Sequence, residues 1–324
     1  MGLIGKSIVG LELDSQEIRA VEIRGTQKNP VLISAGKVRL PEGVVKEGRL
    51  VNPALLGTSL ERLFRENSFK SRDVVFGVNN QDVIVRFASF PKVPEDKIGG
   101  MIRFQAQDYI PVLLEELELD YIVVNEKKTA EGEFINVILV GAKKKMLYDF
   151  IEAFNQAKIS LKEIDSAMLA VGRASLPGSN DGTFALVSFN YDIANILIFK
   201  DGVLGMARSV LISQFLDPNT SMAGGIDPDD KIEKISDVLL NEIKASVSYY
   251  MMQSKQAIDK ILVLGVNSSQ KKIADKLREK TELNIIMPDP YHHLEKKSKD
   301  RSININTSDY TAAISLAIKG LGEK

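Results

Sequence analysis

Ser7-Ile8-Val9-Gly10-Leu11-Glu12-Leu13-Asp14-Ser15-Gln16-Glu17-Ile18-Arg19-Ala20-Val21-Glu22-Ile23 sets two apolar runs on either side of a polar break. Val9, Leu11 and Leu13 alternate with other residues in the first run, and Ile18, Val21 and Ile23 resume after Asp14-Ser15-Gln16-Glu17. A period of two interrupted by a short polar turn predicts a β-hairpin. The same pattern returns at Phe184–Phe199, where Ser188-Phe189-Asn190 stands 176 residues after Glu12-Leu13-Asp14. A chain that restarts in this way reads as two related lobes.

Working outward from the first hairpin, Val31–Leu40 reads as a third strand ending at the turn Pro41-Glu42-Gly43. Pro53–Asn67 reads as a helix with the stripe Leu56, Leu60, Leu63, Phe64 and with Pro53 in the first turn. Asp73–Val78 and Val83–Phe90 are strands separated by Asn79-Asn80. Lys92–Lys162 then reads as an α+β module. A helix from Pro94-Glu95-Asp96 carries Ile98, Ile102, Ala106 and Tyr109, and strands Glu118–Val124 and Phe134–Ala142 follow. A helix with Met146, Phe150 and Phe154 comes next, and a strand at Leu161–Ile164 closes the module.

Beyond the second hairpin, the turn Lys200-Asp201-Gly202 leads to a third strand ending at Ile212. A Pro/Asn/Gly/Asp-rich segment, Asp217–Asp230, precedes a long helix to Gln253 with Ile235, Leu239, Ile243 and Val247 inward. Ile261–Val266 is a short buried strand. Ser268-Ser269 caps a helix with Ile273 and Leu277 inward, Asn284–Met287 is a last strand, and Lys296–Arg301 a solvated loop before the apolar helix Tyr310–Leu321.

Composition narrows the chemistry. At 324 residues the chain has room for about two lobes. Its 44 % apolar and 26 % charged residues exclude a disordered or collagen-like chain. The 42 basic and 43 acidic residues leave a charge of −1, so no global positive field exists to hold nucleic acid or anionic lipid. The absence of cysteine excludes disulfides, Cys-ligated zinc, Fe–S clusters and thiol catalysis. With two histidines, His292 and His293, a histidine-based site elsewhere is excluded. The first seven residues suit neither a secretory signal nor the myristoylation spacing. The longest apolar runs, Val137–Ala142 and Ile261–Val266, fall far short of the ~20 residues that span a bilayer. A soluble cytosolic protein is the expectation, with no direct membrane insertion.

Two hairpin-led lobes and a late strand–glycine–helix unit at Leu264-Gly265 resemble the actin/Hsp70/sugar-kinase superfamily. There the hairpin turns pinch ATP phosphates, because turn N–H groups and helix N-termini offer fixed positive dipoles. Between Val83 and Tyr121 the resemblance sharpens to the PilM family, the FtsA-like proteins of type IV pilus assembly. It rests on Val83-Ile84-Val85-Arg86, Pro91, Pro94-Glu95, Ile102-Arg103-Phe104-Gln105-Ala106-Gln107-Asp108-Tyr109-Ile110-Pro111 and Leu119-Asp120-Tyr121. Val140-Gly141-Ala142-Lys143-Lys144, Ile164-Asp165, Ala207-Arg208-Ser209-Val210 and Glu242-Ile243-Lys244-Ala245-Ser246 extend it along nearly the whole chain. The implied fold is α/β and actin-like, two lobes with an inserted FtsA-type α+β subdomain. The implied division is 1–86, 87–164 and 165–324, the last helix packing back on the core.

The resemblance implies nucleotide-motif positions at Glu12, Asp14, Ser15, Gln16, Ser188, Asn190, Asp192 and Gly265. Each motif departs from the family pattern. Asp-Ile-Gly-Ser-Ser is replaced by Glu12-Leu13-Asp14-Ser15-Gln16, Asp-Ile-Gly by Ser188-Phe189-Asn190, and the run of glycines by Gly265-Val266-Asn267. Glycine at such positions lets backbone approach phosphate without a Cβ. Asp14 instead places a carboxylate where phosphate would lie, at a cost of about 4 kcal/mol per like-charge pair at ~4 Å and an effective dielectric of ~20. Ser188 removes a carboxylate of the kind that holds magnesium through water. A decayed pocket, with no cofactor and no catalytic residue, is the expectation. The alternative is a working Mg-ATP site rescued by Mg²⁺ or by Arg19 or Lys6. Asp14 also suits a turn as a residue that tolerates left-handed backbone.

Other clusters read as surface or core. His292-His293 near Asp289 and Glu295 lacks a third-ligand pattern. The lysine runs Lys143–Lys145 and Lys271-Lys272 read as solvated faces, as do Glu115-Glu116, Glu118 and Asp120. Tyr249-Tyr250-Met251-Met252 is expected to turn into the core.

By resemblance, the function is that of a cytoplasmic scaffold of type IV pilus or type II secretion-like assembly, peripheral at the inner face of the plasma membrane. The implied partners are the cytoplasmic N-terminal peptide of a PilN-type membrane protein and the pilus motor ATPases. The peptide groove is expected between the core and the inserted subdomain, near Arg103–Pro111. Rival readings are an active actin-like ATPase whose nucleotide state switches partner binding, and an FtsA-like filament. The end Gly320-Leu321-Gly322-Glu323-Lys324 lacks the basic amphipathic tail expected of the latter.

Overall fold

The computed structural model describes residues 6–176, 181–213, 229–266, 269–297 and 303–322. The chain opens with the antiparallel meander β1 (Ser7–Leu13), β2 (Glu17–Gly25) and β3 (Pro30–Arg39). A small hairpin, β4 (Val45–Lys46) and β5 (Arg49–Leu50), leads to α1 (Pro53–Glu66), capped by the Asn52 side chain on the Leu55 N–H. β6 (Asp73–Val78) returns parallel to β1. β7 (Val83–Pro91), α2 (Glu95–Gln105), β8 (Leu117–Thr129) and β9 (Gly132–Lys143) form a separate three-stranded sheet in the order β7-β9-β8 with α2 on one face.

The next elements come back to the first sheet. α3 (Lys144–Gln156) packs Phe150 and Phe154 at a tilt against Phe76 of β6, with ring centroids 4.7 and 5.2 Å apart. β10 (Ser160–Ser166) forms where a strand is expected, but it pairs parallel with β6 rather than closing the smaller module. Buried Ala153, Phe150 and Phe154 on α3 take it to the larger core with α1.

α4 (Ala167–Ser175) leads to β11 (Thr183–Phe189), β12 (Ile193–Lys200) and β13 (Val203–Leu211). α5 (Asp229–Ser254), β14 (Lys260–Gly265), α6 (Ser269–Lys280) and β15 (Ile285–Ile286) complete the second sheet, ordered β13-β12-β11-β14-β15. β16 (Glu295–Lys296) falls in the stretch expected as solvated loop, yet it adds to β3 and gives the first sheet the order β10-β6-β1-β2-β3-β16. α7 (Thr311–Gly320) ends the described fold. Residues 217–228, Asn267, Ser268 and 298–301, all part of sequence expectations above, lie outside the described residues.

Burial follows the strand alternation. On β1, Val9, Leu11 and Leu13 join the core under α1 and α3, whereas Ile8 joins the core under α7. Gly10 is what lets α7 settle there, since a Cβ would sit 1.9 Å from the Ala313 carbonyl oxygen. In the second lobe β11 and β12 are buried on both faces, against α5 and α6 on one side and α4 on the other. The expected core turn at Tyr249–Met252 is corrected: Tyr250 is buried, but Tyr249, Met251 and Met252 are exposed. These consecutive helical residues spread around α5, and Tyr250 is the one turned to the sheet.

Candidate functional site

The two hairpin turns meet across the lobes. In the first, the Asp14 Oδ1 accepts the N–H groups of Gln16 at 2.8 Å and Glu17 at 3.0 Å. In the second, Asn190 Oδ1 accepts those of Asp192 at 2.9 Å and Ile193 at 2.8 Å. Both are side-chain-capped turns, which asparagine and aspartate favour because their short side chains reach the backbone two residues on. Asp14 does this without left-handed backbone, since among the described residues the non-glycine ones with positive φ are Glu47, Ser68, Lys158, Asp201 and Lys255. Its role in the turn is that of an acceptor.

A fully buried guanidinium organises the first turn. Arg19, 1 % exposed, reaches Asp14 at 3.0 Å, Glu17 at 2.9 Å and Glu12 at 3.4 Å. Burial pushes the carboxyls of Glu12 and Asp14 up, with Arg19 opposing it, and the surrounding carboxylates hold Arg19 firmly charged. Of the two cations proposed to rescue a phosphate site, Arg19 is spent on its own carboxylates and Lys6 donates to the Gly320 carbonyl at 2.7 Å.

Across the cleft, Ser15 donates its N–H and its hydroxyl to the Asp192 carboxylate, each at 2.7 Å. Burial pushes the Asp192 carboxyl up to about 6, with the Ser15 bond opposing it and Asp14 adding to it. Asn195 Nδ2 adds a second bridge to Asn79 Oδ1 at 3.1 Å. What is left open between the turns is about 40 Å³, bordered by Glu12, Ser188, Asn190 and Gly265, and an opening of about 320 Å³ that shares Ser308 and Asp309 with it continues past Gln270 and Lys271. A small-molecule site ordinarily encloses about 300–1,000 Å³. Gly265 does admit a close neighbour, but that neighbour is the Phe189 ring, 2.3 Å from where a Cβ would stand. Thus Glu12, Asp14, Ser15, Ser188, Asn190, Asp192 and Gly265 converge, while Gln16 contributes its N–H to Asp14.

A much larger opening lies on the other side of the first lobe, a groove of about 590 Å³ between the three-stranded sheet and the six-stranded one. Strand alternation builds one wall: Leu117, Leu119 and Tyr121 of β8 turn toward α2, leaving Glu118, Asp120 and Ile122 to the groove beside Val140 and Ala142 of β9. The facing wall is β10 from Glu163 to Ser166, with Leu169 and Arg173 of α4, and Lys319 of α7 at the side. Asp165 binds Arg173 at 2.6 Å and Lys319 at 3.0 Å, and Lys319 also pairs with Glu163. Burial alone would raise the Asp165 carboxyl, but these two cations hold it below its ordinary value. Glu118 and Asp120 are exposed, and among the described residues no ion pair engages either. Both β8 and β10 are edge strands.

The stretch Arg103–Pro111, expected beside such a groove, is corrected to the opposite face. Ala106 and Ile110 pack there with Leu117 and Leu139, and none of the stretch lines the opening. Glu118 and Asp120, surface residues by their sequence pattern, line the opening, and no sequence motif marks Leu169, Arg173 or Lys319 beside them. The remaining candidates stay at the surface. Lys143 pairs with Asp82 and Lys145 with Asp149, and the His292 and His293 rings meet edge-on at 5.3 Å. Among the described residues no group of three or more His, Cys, Asp or Glu is placed to hold a metal ion, and no helix is long and apolar enough to cross a membrane.

The sequence model of the family described as type IV pilus assembly protein PilM matches residues 10–209. The chain belongs to the PilM family. Its fold is similar to that of the PilM–PilN type IV pilus biogenesis complex, at 22 % identity and a TM-score of 0.83, over 98 % of this chain and 99 % of that one. It is also similar to the ethanolamine utilization protein EutJ from Carboxydothermus hydrogenoformans, at 12 % identity and a TM-score of 0.52, over 98 % and 91 % of the two chains. The PilM-family fold seen here is actin-like.

Proposed function

We propose that this chain serves type IV pilus assembly as a scaffold that binds an extended segment of a PilN-type inner-membrane protein in the groove between its two first-half sheets. The groove carries the reading: it is large, floored by Val140, Ala142, Ile122 and Leu169, and bordered by two edge strands. Edge strands offer backbone donors and acceptors to an incoming extended chain, while pockets select alternate side chains. Glu118 and Asp120 on the wall favour a segment with a basic residue beside its apolar ones.

The captured segment is the cytoplasmic N-terminal peptide, and capture holds the scaffold at the inner face of the plasma membrane. From there it links that partner to the pilus motor ATPases by binding alone. The interlobe cleft, with its donors already engaged, favours a nucleotide site that has decayed.

Fluorescence anisotropy with a labelled PilN-type N-terminal peptide tests this. Saturable binding with a micromolar Kd is expected, and Ile122→Arg, at a position 49 % exposed, should weaken it at least tenfold while leaving the fold intact. No binding at any micromolar concentration, or binding indifferent to Ile122→Arg, would contradict the proposal.

A further inference from the structure

α2 buries one side against the three-stranded sheet and turns another to solvent. Ile102 and Ala106 pack on that sheet, with Ile98 and Tyr109 beside them. Ala106 donates its N–H to the Ile102 carbonyl, so the helical course runs on through the turn Ala106–Asp108. At about 3.6 residues per turn, Lys97, Met101, Phe104 and Asp108 then share the side that points away from the sheet. Phe104 stands 86 % exposed, the most of any large apolar side chain among the described residues. Its ring adds little to the core and gains by being covered.

The helix is also thin beside that ring. Gly100 lies one turn before Phe104, and a Cβ there would meet nothing within 4 Å. Glycine weakens a helix relative to alanine, and no neighbour within this chain asks for the bare backbone. Lys97 and Asp108 stand at the two ends of the same side. Both are exposed, and among the described residues no ion pair engages either.

The side is complementary to itself. The spacing 97, 101, 104, 108 reads 4-3-4 in either direction. An identical helix laid antiparallel, with a two-fold axis passing between Ile102 and Arg103, therefore meets it in register. Lys97 faces Asp108 of a second copy, Met101 faces Phe104, and each pair occurs twice. Opposite charges meet at both ends, and thioether–aromatic contacts fill the middle. Laid parallel, the same two helices would bring like charges together at both ends. Gly100 leaves space for the incoming ring.

We infer that α2 is a self-association face, pairing two copies of this chain antiparallel through Lys97, Met101, Phe104 and Asp108. One helix pair, about 16 Å from Lys97 to Asp108, is a small interface, so pairing follows concentration with a Kd of roughly 10–100 µM. The 590 Å³ groove lies across the three-stranded sheet from α2, and pairing leaves both grooves open. Two grooves in one particle grip two partner segments together, which raises avidity. The pairing itself does not depend on what the groove binds.

Sedimentation velocity on the full chain tests this over roughly 5–500 µM, a range that brackets the Kd. The weight-average mass should climb from 35.8 kDa toward twice that value. Phe104→Ser should weaken dimerisation at least tenfold and leave the circular-dichroism spectrum unchanged. Lys97→Glu alone and Asp108→Lys alone should each weaken it about fivefold or more, because like charges then meet at both ends. The two together restore both pairs in reversed order, and that double variant should dimerise within about twofold of wild type. A mass of 35.8 kDa throughout the range would overturn the inference. So would a dimer indifferent to Phe104→Ser, or a double variant that dimerises no better than either single one.

Discussion

The cleft between the lobes and the groove between the sheets are lined by the same kinds of residue, carboxylates, cations and strand-borne aliphatics, yet they are built to opposite ends. In the cleft, Arg19 answers Glu12, Asp14 and Glu17, Ser15 answers Asp192, and Asn195 answers Asn79. About 40 Å³ remains. In the groove, Arg173 and Lys319 answer Asp165 and Glu163, but Glu118 and Asp120 face open space over an apolar floor of a 590 Å³ opening. Polar groups that satisfy one another inside the chain have little to offer a visitor, whereas a half-buried aliphatic floor with Ile122 exposed at its side and unspent charge beside it gains by being covered.

The comparison breaks most visibly at Arg19. If the cleft is held by internal pairing, Arg19→Met strands the buried Glu12 and Asp14 carboxylates at once and leaves Glu17 with Lys37 alone. Removing one partner of a buried network costs about 3–5 kcal/mol, and urea titration should show a loss of that size. The loss should shrink toward pH 4, where the stranded carboxyls take up protons. Adding Glu12→Gln and Asp14→Asn should recover about half of it. A loss under about 1 kcal/mol at pH 7 would mean that the cluster is decoration, and that the contrast with the groove is one of volume alone.

Asp192 gives a smaller effect with a definite sign. Its carboxyl is raised from 3.8 to about 6, chiefly by burial. A group raised on folding contributes stability that is fully present below its unfolded value and is lost as pH rises through its folded value. Stability should therefore fall between about pH 4 and pH 6 by up to about 2–3 kcal/mol from this group, and level off above. Glu12 and Asp14 slope the same way, and Asp82 and Asp165, held low by their cations, slope the other way. The difference between the wild type and Asp192→Asn isolates the contribution. Flattening of the slope in the variant is the expected result, and identical pH profiles would contradict it.

How much of this the sequence showed depends on the range of the interactions. The hairpins were legible because alternation is local: Val9, Leu11 and Leu13 announce their strand without help from elsewhere. The departures at Asp14, Ser188 and Asn190 were legible too, and they point to the same cleft in which the structure leaves about 40 Å³ between the turns. What they do there was hidden. Asp14 was read as an obstacle to phosphate and Arg19 as a spare cation, but only folding brings the guanidinium within 3.0 Å of that carboxylate. The groove was less legible still. Glu118, Val140, Asp165, Arg173 and Lys319 come from β8, β9, β10, α4 and α7, and no short motif spans five elements. One signal was available. In Leu117–Ile122 the odd positions are apolar throughout and two of the three even ones are acidic, so the acids must share a face. Beyond that, β10 gave no sign that it would leave the module for β6, because a short strand's propensity does not say which sheet it joins.

The finest distinction between the two regions concerns unspent charge. If Glu118 and Asp120 are there for a basic residue of the partner, neutralising them should leave stability within about 0.5 kcal/mol of wild type, since they are exposed and the described residues supply no ion pair for either. Glu118→Gln with Asp120→Asn should weaken the PilN-type peptide about threefold to tenfold and flatten the dependence of its affinity on salt, because exposed charges act through a screened field. Replacing the basic residue of the peptide with a neutral one should cost as much in the wild-type protein and nothing further in the double variant. That non-additivity is what separates a direct pairing from a general loss of field. Additive losses would leave the groove as an apolar docking site whose acids merely keep it soluble. Loss of all binding in Ile122→Arg, beside intact binding in the acid-neutralised protein, would say that the floor alone holds the segment.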